Sequence, residues 1–179
     1  MKRPLPDEIR TQRLILRRPL VNDAEAIFDA YAQDPEVCRY LIWTPHTSSD
    51  VTRQFIQTCV QAWDGNHCLP YVITRSGAKA PIGMFEARFS ETGVVIGYVL
   101  ARQHWGGGFM PEAITAVTGE ALRQPRIFRV QATCDVDNVA SQRALEKAGF
   151  QREGRLERYT THPLISPDPR PSFLYSKCR

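Results

Sequence analysis

The sequence predicts a mixed α/β (α+β) fold, a mostly antiparallel central sheet with flanking helices, and three observations carry that class. LPYVITR, PIGMFEARF and GVVIGYVL follow one another with no helical segment between them, so they are expected to pair with tight connections. Apolar residues at helical spacing occur on both sides of this block. A glycine triplet, Gly106, Gly107 and Gly108, then stands between the last of these strands and a helix. Composition agrees: 179 residues, 42% hydrophobic and 23% charged, give an ordinary globular balance with room for one core. One domain over residues 1–179 is expected.

Taken in order, RLILRR near the start reads as the first strand. Asn22 and Asp23 offer capping side chains for a helix whose apolar residues Ala24, Ile27, Phe28 and Tyr31 recur at i, i+3, i+4 and i+7. CRYLIWTP follows as an irregular, aromatic-rich connection. SSDVTRQFIQTCVQAW predicts a second helix with Val51, Phe55, Cys59 and Ala62 on one side. SETG, between PIGMFEARF and GVVIGYVL, is a hairpin turn, so that pair is antiparallel. A third helix is expected over Phe109–Leu122, with Pro111 in its first turn, where a missing N–H costs nothing. FRVQATCDV alternates, placing Phe128, Val130, Ala132 and Cys134 on one face. A fourth helix starts at Asp137 or Asn138 and stops at Gly149, a residue free to turn left-handed. PLISPDPRPS reads as a loop, and FLYSKCR as a last strand beside RYTTH.

Charge and special residues exclude several classes. The net charge of +4 is spread along the chain without a dense basic run, which argues against nucleic acid and suits a small polyanion. The five cysteines are odd in number and include no Cys-x-x-Cys, so reduced thiols in a cytoplasmic protein are expected. His46, His67, His104 and His162 show no metal-ligand spacing, and no metal is expected. The start lacks a signal-peptide h-region, and no apolar run reaches the roughly 20 residues of a membrane span.

The glycine triplet has two readings: a turn that needs positive φ, or a phosphate cradle at a helix N-terminus, where unpaired N–H groups and the helix dipole make a positive concavity. Pro111 spoils a Gly-x-Gly-x-x-Gly match from Gly106, and no Gly-Lys-Ser/Thr follows. What the stretch does contain, Gln103-x-x-Gly106-x-Gly108, resembles the (Gln/Arg)-x-x-Gly-x-(Gly/Ala) signature of the GNAT N-acetyltransferase superfamily. IGYVLARQHWGGGFMPEA and DNVASQRALEKAGFQREG are similar to two motifs of the branch that acetylates N-termini of ribosomal proteins, and TQRLILRRP matches its usual opening. The three lie in the expected order and span nearly the whole chain.

The resemblance implies an acetyl-CoA-dependent N-acetyltransferase in which an amine attacks the thioester directly. It implies a splayed strand pair, with Val99, Leu100 and Ala101 lining the pantetheine arm and Gln103, Trp105, Gly106, Gly107, Gly108 and Phe109 around the phosphates. By helix rules alone Asn138 is an N-cap and Ser141 a solvated first-turn residue. The resemblance gives Asn138 to the pantetheine arm and makes Ser141 the proton donor to the leaving thiolate, with Tyr159 second. For the base, Glu86 either faces the acceptor or pairs with Arg88, and a water chain serves instead. The implied partners are acetyl-CoA and an amine acceptor, a small molecule or a protein N-terminus, without nucleic acid or membrane; a homodimer is compatible. The alternative on the same residues is a non-catalytic acyl-CoA or nucleotide-binding module.

Overall fold

The computed structural model describes residues 4–65, 67–91 and 93–179. Eight strands form one sheet: β1 (Glu8–Arg10), β2 (Leu14–Arg17), β3 (Cys68–Arg75), β4 (Pro81–Phe89), β5 (Gly93–Leu100), β6 (Arg129–Asp135), β7 (Gln151–Thr160) and β8 (Arg170–Cys178). Their order is β1-β2-β3-β4-β5-β6-β8-β7. Every neighbouring pair is antiparallel except β5 and β6, which run parallel. That exception follows from the chain: a helix crosses between these two strands, as a parallel connection requires.

The helices are α1 (Ala24–Ile27), which runs on into a π turn at Phe28–Ala32, α2 (Pro35–Cys38), α3 (Ser49–Gly65), α4 (Phe109–Leu122) and α5 (Val139–Lys147). Strand alternation splits the core. Phe85, Val94 and Ile96 pack with Ala113, Ile114 and Val117 of α4, while Val72 and Met84 pack with Ile27, Ile56 and Cys59 of α1 and α3. None of the helices is long and apolar enough to cross a membrane, among the described residues.

Strands β4 and β5 and helix α4 have the expected limits, and β4 pairs with β5 antiparallel. Four expectations need correction. Helix α3 buries Thr52, Ile56, Cys59 and Trp63, whereas Val51 and Phe55 are exposed. The whole indole of Trp63, with its N–H donated to the Pro70 carbonyl at 2.7 Å, fixes the buried face one position round. Phe128 precedes β6 and is exposed, unlike Val130, Ala132 and Cys134. Asp23 does not cap α1 from outside: it is buried, grips Arg17 at 2.7 and 2.9 Å and accepts the Leu20 N–H. Finally β7 begins at Gln151, far ahead of RYTTH, and β1 is an added strand.

Candidate active site

Strands β5 and β6 are neighbours for only part of their length. Gly93, Val94 and Val95 pair with Arg129, Val130 and Gln131, and beyond that the two strands separate. The far half of β5, through Tyr98, Val99 and Leu100, stays bonded to β4. Gly83 of β4 lies close against it, since a Cβ there would lie 2.3 Å from the Val99 carbonyl oxygen. The sheet therefore carries a V-shaped gap, with one edge of β5 and one of β6 left without strand partners.

The glycine loop sits where β5 ends. Gly106 and Gly108 have φ of 74° and 75°, a region that disfavours side chains, and Gly108 is the residue before α4 with no side-chain cap of its own. A side chain at Gly107 would meet the Phe109 ring at 3.0 Å. The loop is clasped from outside by Arg13, in the turn between β1 and β2. Its Nη1 donates to the Gly107 carbonyl at 2.9 Å, its Nε to Glu112 at 2.6 Å, and its guanidinium lies over Phe109. Glu112 also accepts the Thr11 hydroxyl at 2.6 Å and the Arg13 N–H at 3.0 Å. Burial pushes this carboxyl up, but the bonds from Thr11 and Arg13 outweigh it and hold it below the ordinary value. A carboxylate in the first turn of α4 also complements the helix dipole.

Across the gap, α5 starts at Asn138, whose Oδ1 accepts the Ser141 N–H at 3.1 Å. The Ser141 hydroxyl shares a 2.8 Å hydrogen bond with the Tyr98 hydroxyl from β5, which bridges the two walls. Burial pushes the Tyr98 phenol up, which keeps it protonated. Burial likewise pushes the nearby Cys134 thiol up to about 11, so it is no thiolate nucleophile.

These elements enclose a cleft of about 450 Å³. Of the residues expected from sequence, Val99, Leu100, Trp105, Gly106, Gly108, Phe109, Asn138 and Ser141 are brought together along it. Ala101 is fully buried away from the cleft with its N–H donated to the Ile82 carbonyl, and Gln103 and Gly107 are exposed outside the lining. The Trp105 indole is tied to the Leu100 carbonyl at 2.8 Å. Glu86 is not in the lining: it pairs with Arg88 and accepts the Cys68 thiol at 3.2 Å, the second of its two readings. Tyr159 is more than half exposed on β7 and also stands outside the cleft.

Tyr98 is the site residue that sequence reasoning passed over. Its signal was present: alternation puts it on the face of Val94 and Ile96, and a phenol in such a stripe needs a partner. On the other rim, Tyr40 and Leu41 line the cleft from the connection after α2, whereas Trp43 packs against the core beside α3. The lining carries one carboxylate, Glu36, against Arg39, Arg143 and Lys147. A basic, glycine-edged cleft at a helix N-terminus suits a phosphate-bearing ligand.

Comparison with known proteins agrees. The family model described as "Acetyltransferase (GNAT) domain" matches residues 13–151. The chain is 34% identical over 154 residues to "Uncharacterized N-acetyltransferase YoaA" of Bacillus subtilis (strain 168), covering 84% of this chain and 86% of that one. Among solved structures it is similar to the microcin C7 self-immunity acetyltransferase MccE in complex with acetyl-CoA and AMP, with a TM-score of 0.85 and 20% identity over 94% of each chain. It is also similar to RimL, a ribosomal L7/L12 alpha-N-protein acetyltransferase, in complex with coenzyme A, with a TM-score of 0.83 and 22% identity over 96% of this chain and 97% of that one. The chain belongs to the GNAT family and is an N-acetyltransferase.

Proposed function

We propose that the cleft binds acetyl-CoA and that a primary amine, on a small molecule or a protein N-terminus, attacks the thioester directly. The observation that carries this reading is the gap between β5 and β6 ending at the bare glycine loop. Val99 and Leu100 flank the pantetheine arm in this reading, with Asn138 facing it from α5. Gly106, Gly108 and Phe109 take the pyrophosphate on backbone N–H groups, as helix N-termini do. A backbone N–H at Val99 or Leu100 polarises the thioester carbonyl as the oxyanion forms. Residues 1–179 act as one catalytic domain. The free thiols of all five cysteines support a reducing, cytoplasmic setting.

Ser141 is the proton donor to the departing thiolate. Tyr98, kept protonated by burial, donates to the Ser141 oxygen and leaves the serine proton free to point into the cleft. As that proton moves to sulfur, the Tyr98 bond stabilises the serine oxygen. Glu86 is held by Arg88 and Cys68, so a water chain is the better base for the incoming amine.

The test is binding of acetyl-CoA to Gly108→Val, followed by a screen of amine acceptors read by free-thiol release. The branched side chain enters at φ 75° beside the loop, so affinity is expected to fall at least tenfold. Wild-type affinity in that variant sinks the loop assignment. Binding without turnover on any amine makes the chain a holding module instead.

A further inference from the structure

We propose that His162 is a positioning residue for acetyl transfer: its ring holds the Leu41 carbonyl, and with it the Tyr40–Leu41 rim against which the amine acceptor is seated. The proposal rests on the acetyl-CoA reading above. His162 lies in the loop between β7 and β8, outside the cleft lining, and is 4% exposed. Its Nδ1 stands 3.3 Å from the Leu41 carbonyl oxygen. A carbonyl only accepts, so Nδ1 carries the proton and donates. The backbone that carries the ring is itself fixed, because the His162 carbonyl accepts the N–H groups of Ile165 at 2.8 Å and Ser166 at 3.0 Å.

The other ring nitrogen shows what the position gives up for this bond. Nε2 is buried with no hydrogen-bond partner among the described residues. It faces Asp135 Oδ2 at 3.7 Å, beyond hydrogen-bond reach. That carboxylate, at the end of β6, is already held by Arg170 at 2.7 Å, and Arg170 also reaches Asp137 at 2.6 Å. A buried ring nitrogen left unpaired is destabilising. An apolar side chain would fill the same space without that penalty, so packing alone does not account for a histidine here. The bond to Leu41 does.

The segment so held crosses the mouth of the open seam. At its start Asp34 accepts the Glu36 N–H at 3.0 Å and binds Arg102, just past β5, at 3.0 Å. At its end the Tyr40 hydroxyl donates to the Asp137 carbonyl, just past β6, at 3.3 Å. The Tyr40 ring also meets the His162 ring edge-on, with centroids 6.4 Å apart. Residues 34–41 therefore run from the end of one separating strand to the end of the other, and Val37, Tyr40 and Leu41 from this segment line the cleft. The walls built by β5, α5 and the glycine loop go to acetyl-CoA in the reading above. Segment 34–41 is the wall left to the acceptor. A rim displaced by about 1 Å is enough to spoil the approach of an amine to the thioester.

The test separates the two ring nitrogens. In His162→Asn the side-chain amide nitrogen takes the place of Nδ1 and still donates to Leu41. In His162→Gln the amide reaches the place of Nε2, toward Asp135, and leaves Leu41 without a donor. His162→Leu removes both. Each full-length variant is read by hydrogen exchange at the Leu41 amide, which donates to the Cys38 carbonyl at 2.9 Å. Each is also titrated with acetyl-CoA and assayed on butylamine, phenethylamine, spermidine and a peptide with a free N-terminus. Exchange at Leu41 should be about tenfold faster in the Gln and Leu variants and close to wild type in the Asn variant. The KM for the amine should rise about tenfold in the same two variants, with kcat and acetyl-CoA affinity little changed. If His162→Gln behaves as wild type and His162→Asn does not, the ring serves Asp135 and the proposal is overturned. Wild-type exchange and kinetics in His162→Leu overturn it as well, and leave the acetyl-CoA reading standing. Equal losses of acetyl-CoA affinity and amine turnover also overturn it, because the whole cleft then depends on this ring. If wild type binds acetyl-CoA and acetylates none of the amines, the transfer reading falls and takes the role of His162 with it.

Discussion

Strand β6 treats its two neighbours differently. Toward β8 it is paired from Arg129 through Asp135, the full strand; toward β5 it is paired only at Arg129, Val130 and Gln131. The same seven residues thus make a closed seam on one side and an open one on the other. Composition does not explain this, because Ala132 and Cys134 are buried like Val130. On its other side the far end of β5 presses close to β4: a Cβ at Gly83 would come within 2.3 Å of the Val99 carbonyl oxygen. The lesson is that absent side chains shape this region: β4 and β5 close in on each other at Gly83, and Gly106 and Gly108 leave the mouth of the cleft bare.

The harshest way to break the contrast is to fill the space at Gly83. In Gly83→Val the added carbon meets the Val99 carbonyl at 2.3 Å, and backbone cannot swing aside as a flexible side chain can. Unfolding in urea should show a loss of about 3 kcal/mol, the upper part of the overpacking range. Stability within about 0.5 kcal/mol of wild type shows that β5 does not lean on Gly83.

The next experiment acts on the Tyr98–Ser141 bridge across the open seam. Ser141→Ala removes the bond to Tyr98, and kcat and kcat/KM should fall together by about 10²-fold, the low end for general acid catalysis. Acetyl-CoA affinity should barely change. A variant with wild-type kcat takes Ser141 out of the chemistry and leaves the proton to solvent.

Asn138 separates capping from ligand binding. Asn138→Ala loses the cap on Ser141 and should lower stability by about 1 kcal/mol, seen as a lower melting temperature. Asn138→Asp keeps an acceptor for that N–H but has no amide donor. It should melt like wild type yet bind acetyl-CoA more weakly; unchanged binding reduces Asn138 to a cap.

The smallest effect concerns the clasp behind the loop. Glu112 holds its proton less tightly in the folded chain than in the unfolded one. Its stabilisation is therefore complete above the ordinary carboxylate value of 4.5 and is lost as pH falls through the lower folded value. Glu112→Gln should flatten that acid limb by less than about 1 kcal/mol in pH-dependent unfolding, without altering its neutral part beyond the lost ion pair. An acid limb identical to wild type means the clasp carries no proton linkage.

Much of this molecule is legible in the residues. The β4–β5 hairpin and α4 announce themselves because turn, period and punctuation agree: SETG, Pro111 and the glycines each say the same thing as the apolar pattern. The motif residues that line the cleft were readable for the same reason. Strand β7 was hidden because QREGRLERYT has almost no apolar alternation; it is a strand through its pairing with β8, at a charged sheet edge. The face of α3 was misread because two apolar stripes compete on that helix, and only the three-dimensional seat of Trp63 chooses between them. The Tyr98–Ser141 bond spans 43 residues, and no local rule reaches that far.

The Arg13 clasp has a consequence in time as well as in shape. Thr11 and Arg13 reach Glu112 and Gly107 across about a hundred residues of chain. The loop can settle only after the first strands have met α4, so its contour is a late product of folding, of high contact order. If acetyl-CoA binds there as proposed, a loop held in this way has little ordering entropy left to lose. Cutting the chain between Arg13 and Leu14 would leave every glycine in place and still take away the hand that shapes them.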